Sequence, residues 1–151
     1  MKIGIVVHSK TGNTLSVVQK IKEKLDNKGY EVDLLKLKVV KKGDKEILES
    51  TPDISSYEGL IFGSSVEAFQ LNSVMKRYLT DIGNVSGKKV SIVITQHFKF
   101  KWLGGSNAVK KADKILRGKG AKIMGSFIVN WSSAEKQNQI EDGVKKISMA
   151  Y

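Results

Sequence analysis

No cysteine occurs in the 151 residues. Disulfides, thiolate nucleophiles and cysteine-ligated metals are therefore excluded, and cysteine-dependent phosphatase chemistry with them. There are two histidines, His8 and His97, and one proline, Pro52. Neither an HExxH pair nor a run of carboxylates at ligand spacing accompanies the histidines, so no metal site is expected. No GxxxxGK[ST] segment is present and no GxGxxG follows a strand, which removes the NTPase P-loop and the dinucleotide fingerprint. No apolar run approaches the roughly 20 residues of a membrane span. The first segment is too short and too β-branched for a signal peptide, so a cytoplasmic protein is the expectation.

Acidic residues are also scarce. Fifteen Asp and Glu stand against 26 Lys and Arg, a net charge of +11. Such a balance raises nucleic-acid binding as a reading. The lysines are scattered at helical spacing, and no arm or RGG-like tract gathers them. That pattern favours a solvated lysine-rich surface over a nucleic-acid partner. A basic surface still steers acidic partners or anionic substrates toward the chain. With 40% apolar residues and no low-complexity tract, residues 1–151 are expected to form one globular domain.

The most informative stretch is MKIGIVVHSKTGNT, Met1 to Thr14. Ile3, Gly4, Ile5, Val6 and Val7 suit a central strand covered on both faces. The turn that follows, Ser9 to Thr14, holds three hydroxyls, a glycine and an asparagine in six residues. A helix then begins. Free backbone amides, hydroxyl donors and the positive end of a helix dipole are what a phosphate needs. The competing reading is an ordinary strand-to-helix turn whose Thr and Asn cap the helix.

Further along, the spacing of Leu15, Val18, Ile21 and Leu25 predicts a helix over 13–28, with Gly29 ending it. Residues 31–37 alternate as an edge strand. Residues 39–57 read as a polar connector with a short helix near 44–50, closed by Pro52 and carrying no chemistry. Strands are predicted over 59–64, 89–95 and 121–129, and helices over 71–82, 106–117 and 133–149. Between them lie a loop at 64–70 and a long loop at 96–105, the latter suspect as functional on length. The order implies an α/β three-layer sandwich around a five-stranded parallel sheet. In the order 2-1-3-4-5 ligands bind beyond the carboxyl ends of strands one and three, where the Ser9–Thr14 turn and the 64–70 loop lie, with the 96–105 loop next door after strand four.

The turn resembles the phosphate-binding loop of flavodoxins, (S/T)-x-T-G-x-T, through Ser9, Thr11, Gly12 and Thr14, with Lys10 and Asn13 between them. The resemblance extends over the whole chain in strand count, helix positions and loops. It implies a flavodoxin-like fold and a non-covalently held FMN whose 5′-phosphate sits in this loop. It further implies that the second and third loops sandwich the isoalloxazine. The second loop offers Ser64, Ser65, Val66, Glu67, Ala68 and Phe69. The third offers Thr95, Gln96, His97, Phe98, Trp102, Gly104 and Gly105, with Phe100 as a further aromatic. Aromatic faces suit a flat ring, and glycines let backbone approach its polar edge.

The chain departs from the family's electron carriers in two respects. They usually carry a tryptophan in the second loop and a tyrosine in the third, where this chain has Phe69 and the group Phe98, Phe100 and Trp102. They are also typically acidic, whereas Lys99 and Lys101 lie in this third loop. Two lysines beside the ring would favour an anionic reduced flavin and raise its potential. The competing reading of the third loop is an excursion whose aromatics pack on its own helix. His8 reads as structural beside the phosphate loop and His97 as a candidate for the flavin edge. Glu67 reads as a solvated loop carboxylate more than as an acid catalyst.

Three functions follow. The resemblance implies an electron carrier that meets its redox partner in trans. A small FMN-dependent oxidoreductase, working on a nicotinamide or a quinone, is the alternative within the same class. A basic nucleic-acid-binding module on the same fold is the alternative from another class. A phosphate-receiver module would need acidic residues where His8–Ser9 and Gly63–Ser64 stand.

Overall fold

The computed structural model describes residues 1–98, 100 and 102–151. Its elements are β1 (Lys2–Val7), α1 (Asn13–Asn27), β2 (Glu31–Lys36), β3 (Lys38–Lys42), β4 (Lys45–Ser50), β5 (Gly59–Glu67), β6 (Gln70–Leu71), α2 (Ser73–Asp81), β7 (Lys89–Gln96), α3 (Gly105–Gly118), β8 (Lys122–Asn130) and α4 (Lys136–Ser148). The main sheet runs β2-β1-β5-β7-β8 with all four pairings parallel. This is the anticipated path of five strands, renumbered because further strands intervene in the chain. The two-residue β6 pairs antiparallel with β5 and adds a sixth strand.

The period-2 alternation of the central strands sorts the core into two layers. Ile3, Ile5 and Val7 of β1 join Ile61, Val93 and Val129 against Val17, Val18, Ile21 and Leu25 of α1 and Ile140, Val144 and Ile147 of α4. Val6, Leu60, Phe62, Val90, Ile92 and Ile94 point the other way, onto Val74, Met75, Tyr78 and Leu79 of α2 and Ala108, Ala112 and Leu116 of α3. β1, β5 and β7 are therefore covered on both sides, which is why they read as continuous apolar runs. Gly63 of β5 permits this packing to be close: a Cβ there would lie 2.8 Å from Cγ1 of Val18 on α1. At the other end of α1, Gly29 with φ 87 closes the helix, donating to Asp26 O while Tyr30 N donates to Leu25 O.

The connector after β2 overturns one expectation. Residues 44–50 form no helix; they are half of the antiparallel hairpin β3–β4. Its two-residue turn is Gly43–Asp44, and Gly43 has φ 64, which a hairpin turn of this length requires. Val39 and Leu48, paired across the hairpin, face inward onto the core, while Val40 and Ile47, also paired, face outward and are exposed. Alternation on both strands thus defeats the weak helical propensity of a short lysine-rich segment. Among the described residues no helix is long and apolar enough to cross a membrane.

The terminal Tyr151 reaches back under the sheet. Its hydroxyl donates to Leu60 O at 2.9 Å and meets the Ser91 hydroxyl at 3.0 Å. Ser91 is fully buried, and burial raises the Tyr151 hydroxyl above its ordinary pKa, so it stays a neutral donor. Tyr151→Phe leaves the Ser91 hydroxyl without this partner inside the core. A loss of about 1–2 kcal/mol is expected, read as a lowered urea midpoint with an unchanged slope.

Candidate functional site

β1 ends at Val7, and the chain turns through Ser9–Thr14 into α1 at the carboxyl edge of the sheet, between the ends of β2 and β5. Gly12 stands at the start of α1 with φ 88, a left-handed conformation that glycine adopts without strain. No side chain caps this helix end, so the Thr and Asn of the turn do not act as the cap that the competing reading required. The Ser9 hydroxyl accepts from Leu15 N at 3.3 Å, and Ser16 N bonds to Gly12 O. Among the described residues, the amides of Asn13 and Thr14 have no acceptor within the chain. Exposed Lys10 and Thr11 flank them. The donor set, two free amides on a helix N-terminus with a hydroxyl and an ammonium beside them, fits an anion.

Thr14 is placed differently from its neighbours. Its side chain is buried and its hydroxyl lies 2.7 Å from that of Thr95 at the end of β7. The pair ties the first loop to the third across β5.

The second loop is shorter than the sequence suggests. β5 continues to Glu67, turns over Ala68 and Phe69, and returns as β6. Both turn residues have positive φ, 49° and 63°. Such a turn normally takes Asn-Gly, so an Ala-Phe pair stores strain there. Ser64 is buried, and the Ser65 carbonyl accepts from Asn72 N. The exposed Glu67 is not simply solvated: its carboxylate accepts from Asn72 Nδ2 at 3.2 Å and Ser73 Oγ at 3.0 Å. Asn72 in turn accepts from Val74 N and Met75 N as the cap of α2. Val66 packs against the third loop; a Cβ on Gly104, which has φ 122, would meet Val66 and the Phe69 backbone.

The third loop is organised from below by Gln96. Its amide nitrogen donates to the carbonyls of Phe98 (2.9 Å) and Phe100 (2.8 Å) and to Asn130 Oδ1 on β8. Among the described residues its own side-chain oxygen is buried without a partner, and it faces Gly105, the first residue of α3. Gln96, expected at the ligand, also positions the loop, and Asn130, not anticipated, shares that task. His97 is exposed, and its carbonyl accepts from the Ser132 hydroxyl. Lys99 and Lys101, expected beside the ring, lie outside the described residues.

Four exposed aromatics collect at this edge. Phe69 and Phe98, from the second and third loops, stack at 5.0 Å with 20° between planes. Trp102 stacks on Phe100 at 5.8 Å and is 69% exposed. The second and third loops, expected to lie on either side of a ring, touch each other here through Phe69 and Phe98. A third ring interleaved between them would need about 7 Å, two van der Waals contacts, so these rings must part to admit one.

His8 and the hairpin complete the site's far side. His8 is 5% exposed, and its Nε2 has no hydrogen-bond partner among the described residues. Glu46 of β4 reaches over it: Oε2 lies 3.5 Å from His8 Nε2 and Oε1 lies 3.6 Å from Lys10 Nζ. Burial lowers the His8 pKa below 6.5, with Lys10 adding to the fall and Glu46 opposing it. Glu46 was missed because the connector was read as lacking chemistry. The Gly-Asp pair between two short apolar runs was the signal that could have found it.

The flavodoxin family model matches residues 5–143. Among solved structures, flavodoxin 2 from Bacillus cereus superposes with a TM-score of 0.73 at 21% identity, covering 100% of both chains. A flavodoxin from Streptococcus pneumonia TIGR4 gives 0.72 at 18%, again over 100% of each chain. Two-electron reduced flavodoxin from Megasphaera elsdenii gives 0.69 at 19%, over 97% of this chain and 98% of that one. At these identities the neighbours establish the fold. No curated protein matches the chain in sequence.

Two measurements test the local geometry. His8 binds its proton less readily folded than unfolded, so the unfolded state holds more protons between the lowered value and 6.5. Stability should be complete above 6.5 and fall as pH drops through that window; urea midpoints for His8→Gln should lose most of that slope. Ala68→Gly relieves one left-handed residue, and its urea midpoint should rise by about 1 kcal/mol equivalent.

Proposed function

The chain belongs to the flavodoxin family, and from that premise we propose that it is an electron carrier that holds FMN non-covalently at the carboxyl edge of its sheet. The single observation that supports this reading most is the pair of unsatisfied amides, Asn13 and Thr14, behind a left-handed Gly12 at the sheet's switch point. In this reading Ser9, Lys10, Thr11, Gly12, Asn13 and Thr14 hold the phosphate. Ser64, Ser65, Val66, Glu67, Ala68 and Phe69 border the ring on one side, and Thr95, Gln96, His97, Phe98, Trp102, Gly104 and Gly105 on the other. FMN supplies the redox chemistry when bound.

The protein's own contribution is binding and orientation. Gln96 fixes the carbonyls of the third loop, and Glu67 with Asn72 fixes the second loop to α2. The exposed aromatics give the ring an apolar bed and keep water from its faces. We further propose one domain over residues 1–151 and an acidic redox partner, since a net charge of +11 draws such a surface in. A partner of that kind meets the ring's edge where the loops leave it open.

Purified protein should be yellow and show flavin absorption bands that follow FMN occupancy. Gly12→Val forces a side chain onto a left-handed residue and disturbs the free amides. FMN affinity should fall by roughly tenfold or more while riboflavin affinity holds. Colourless protein that takes up no FMN and is retained on DNA in a salt-dependent way would replace this reading with the nucleic-acid one. Rapid NAD(P)H turnover by the holoprotein would replace the carrier with an oxidoreductase.

A further inference from the structure

The hairpin β3–β4 brings the Glu46 carboxylate within ion-pair distance of the phosphate loop, and neither the fold nor an electron carrier's task requires it there. In the hairpin register Glu46 pairs with Lys41, two residues along each strand from the inward pair Val39 and Leu48. It therefore shares their inward face. That face lays Glu46 over the end of β1, with one oxygen 3.5 Å from His8 Nε2 and the other 3.6 Å from Lys10 Nζ. The Glu46 side chain is 15% exposed and that of His8 is 6% exposed, so the contact with His8 is largely withdrawn from water. A cavity of about 280 Å³ lies between hairpin and loop, with His8, Ser9, Lys10 and Glu46 in its wall.

Lys10 is the one cationic side chain within the Ser9–Thr14 turn. His8 precedes the turn directly, and its buried Nε2 is left without a hydrogen bond among the described residues. Glu46 thus faces two groups that could present positive charge to an anion from this side. A carboxylate so placed has two effects on a phosphate arriving at the loop. It repels the phosphate as a like charge, and it draws on the Lys10 ammonium that the phosphate would otherwise have to itself.

We propose that Glu46 is an internal anion that competes with the ligand's phosphate for Lys10, and so sets how strongly the chain prefers a phosphorylated flavin over an unphosphorylated one. This rests on the reading that Ser9–Thr14 takes the 5′-phosphate. Riboflavin lacks that group, so its binding is blind to Glu46. FMN binding carries the competition in full. The residue acts through Lys10 and is a specificity-determining residue, with no part in electron transfer itself.

Titration of the apoprotein, followed by quenching of flavin fluorescence, decides the matter. Glu46→Gln keeps the shape and loses the charge. It should bind FMN about fivefold tighter than the parent chain, with riboflavin affinity unchanged. Glu46→Ala should behave in the same way if charge is what counts. Lys10→Met should weaken FMN binding, and the gain from Glu46→Gln should vanish in the double variant. Inorganic phosphate should bind the apoprotein of Glu46→Gln more tightly than that of the parent. An FMN-to-riboflavin ratio unchanged or lowered in Glu46→Gln overturns the proposal, as does an equal gain for both flavins. If the chain takes up neither flavin, the cofactor reading fails by itself. Inorganic phosphate titrated against the Gly12 amide resonance then still tests Glu46: tighter binding in Glu46→Gln supports it, and equal binding overturns it.

Discussion

Among the described residues the amides of Asn13 and Thr14 find no acceptor, and much of the candidate site follows from that shortage. A helix cannot satisfy its own first amides. Here the cap position is held by glycine, and Ser9 Oγ reaches only the amide of Leu15. β1 is buried between β2 and β5, so the helix that follows it must start at the carboxyl edge of the sheet, beside the end of β5. Burial of one strand thereby aims the positive end of a helix dipole into the crevice. The hydroxyl contact between Thr14 and Thr95 then links that helix start to the third loop.

Polar side chains do the remaining positioning, and few of them are free to do anything else. Glu67 is held by Asn72 and Ser73, and Gln96 divides its amide among two loop carbonyls and Asn130. Asn72 and Gln96 are buried, and buried polar groups are costly unless paired, so their pairings define where the loops can sit. The backbone of the second and third loops is in this sense set from the core outward, through Asn72 and Gln96. The aromatics Phe69, Phe98, Phe100 and Trp102 form the rim of the site and are all exposed. Strain at Ala68 and Phe69 falls in the same place, next to the ring pair that would have to open.

The hairpin shows how a local pattern can be read and still be misplaced. Its strands are short, rich in lysine and separated by few residues, and a connector was the natural reading. What the pattern withheld was Glu46's destination, since nothing local connects it with His8, 38 residues earlier in the chain. The outward pair Val40 and Ile47 and the opposed Lys42 and Lys45 gain little from each other, so the hairpin is secured by its inward face alone.

Apolar runs in β1, β5 and β7, the i, i+3 stripe of α1 and the glycine after it were legible in the chain because local periodicity and backbone conformation are properties of neighbouring residues. From them the layer order and the position of the Ser9–Thr14 turn follow. The loops' inner partners were not legible in that way. That Gln96 faces its own loop, that Thr14 turns inward to Thr95 and that Glu46 stands over Lys10 depend on contacts between distant segments. Those pairings exist only once the sheet has brought the strand ends together, and so tertiary structure alone decided them.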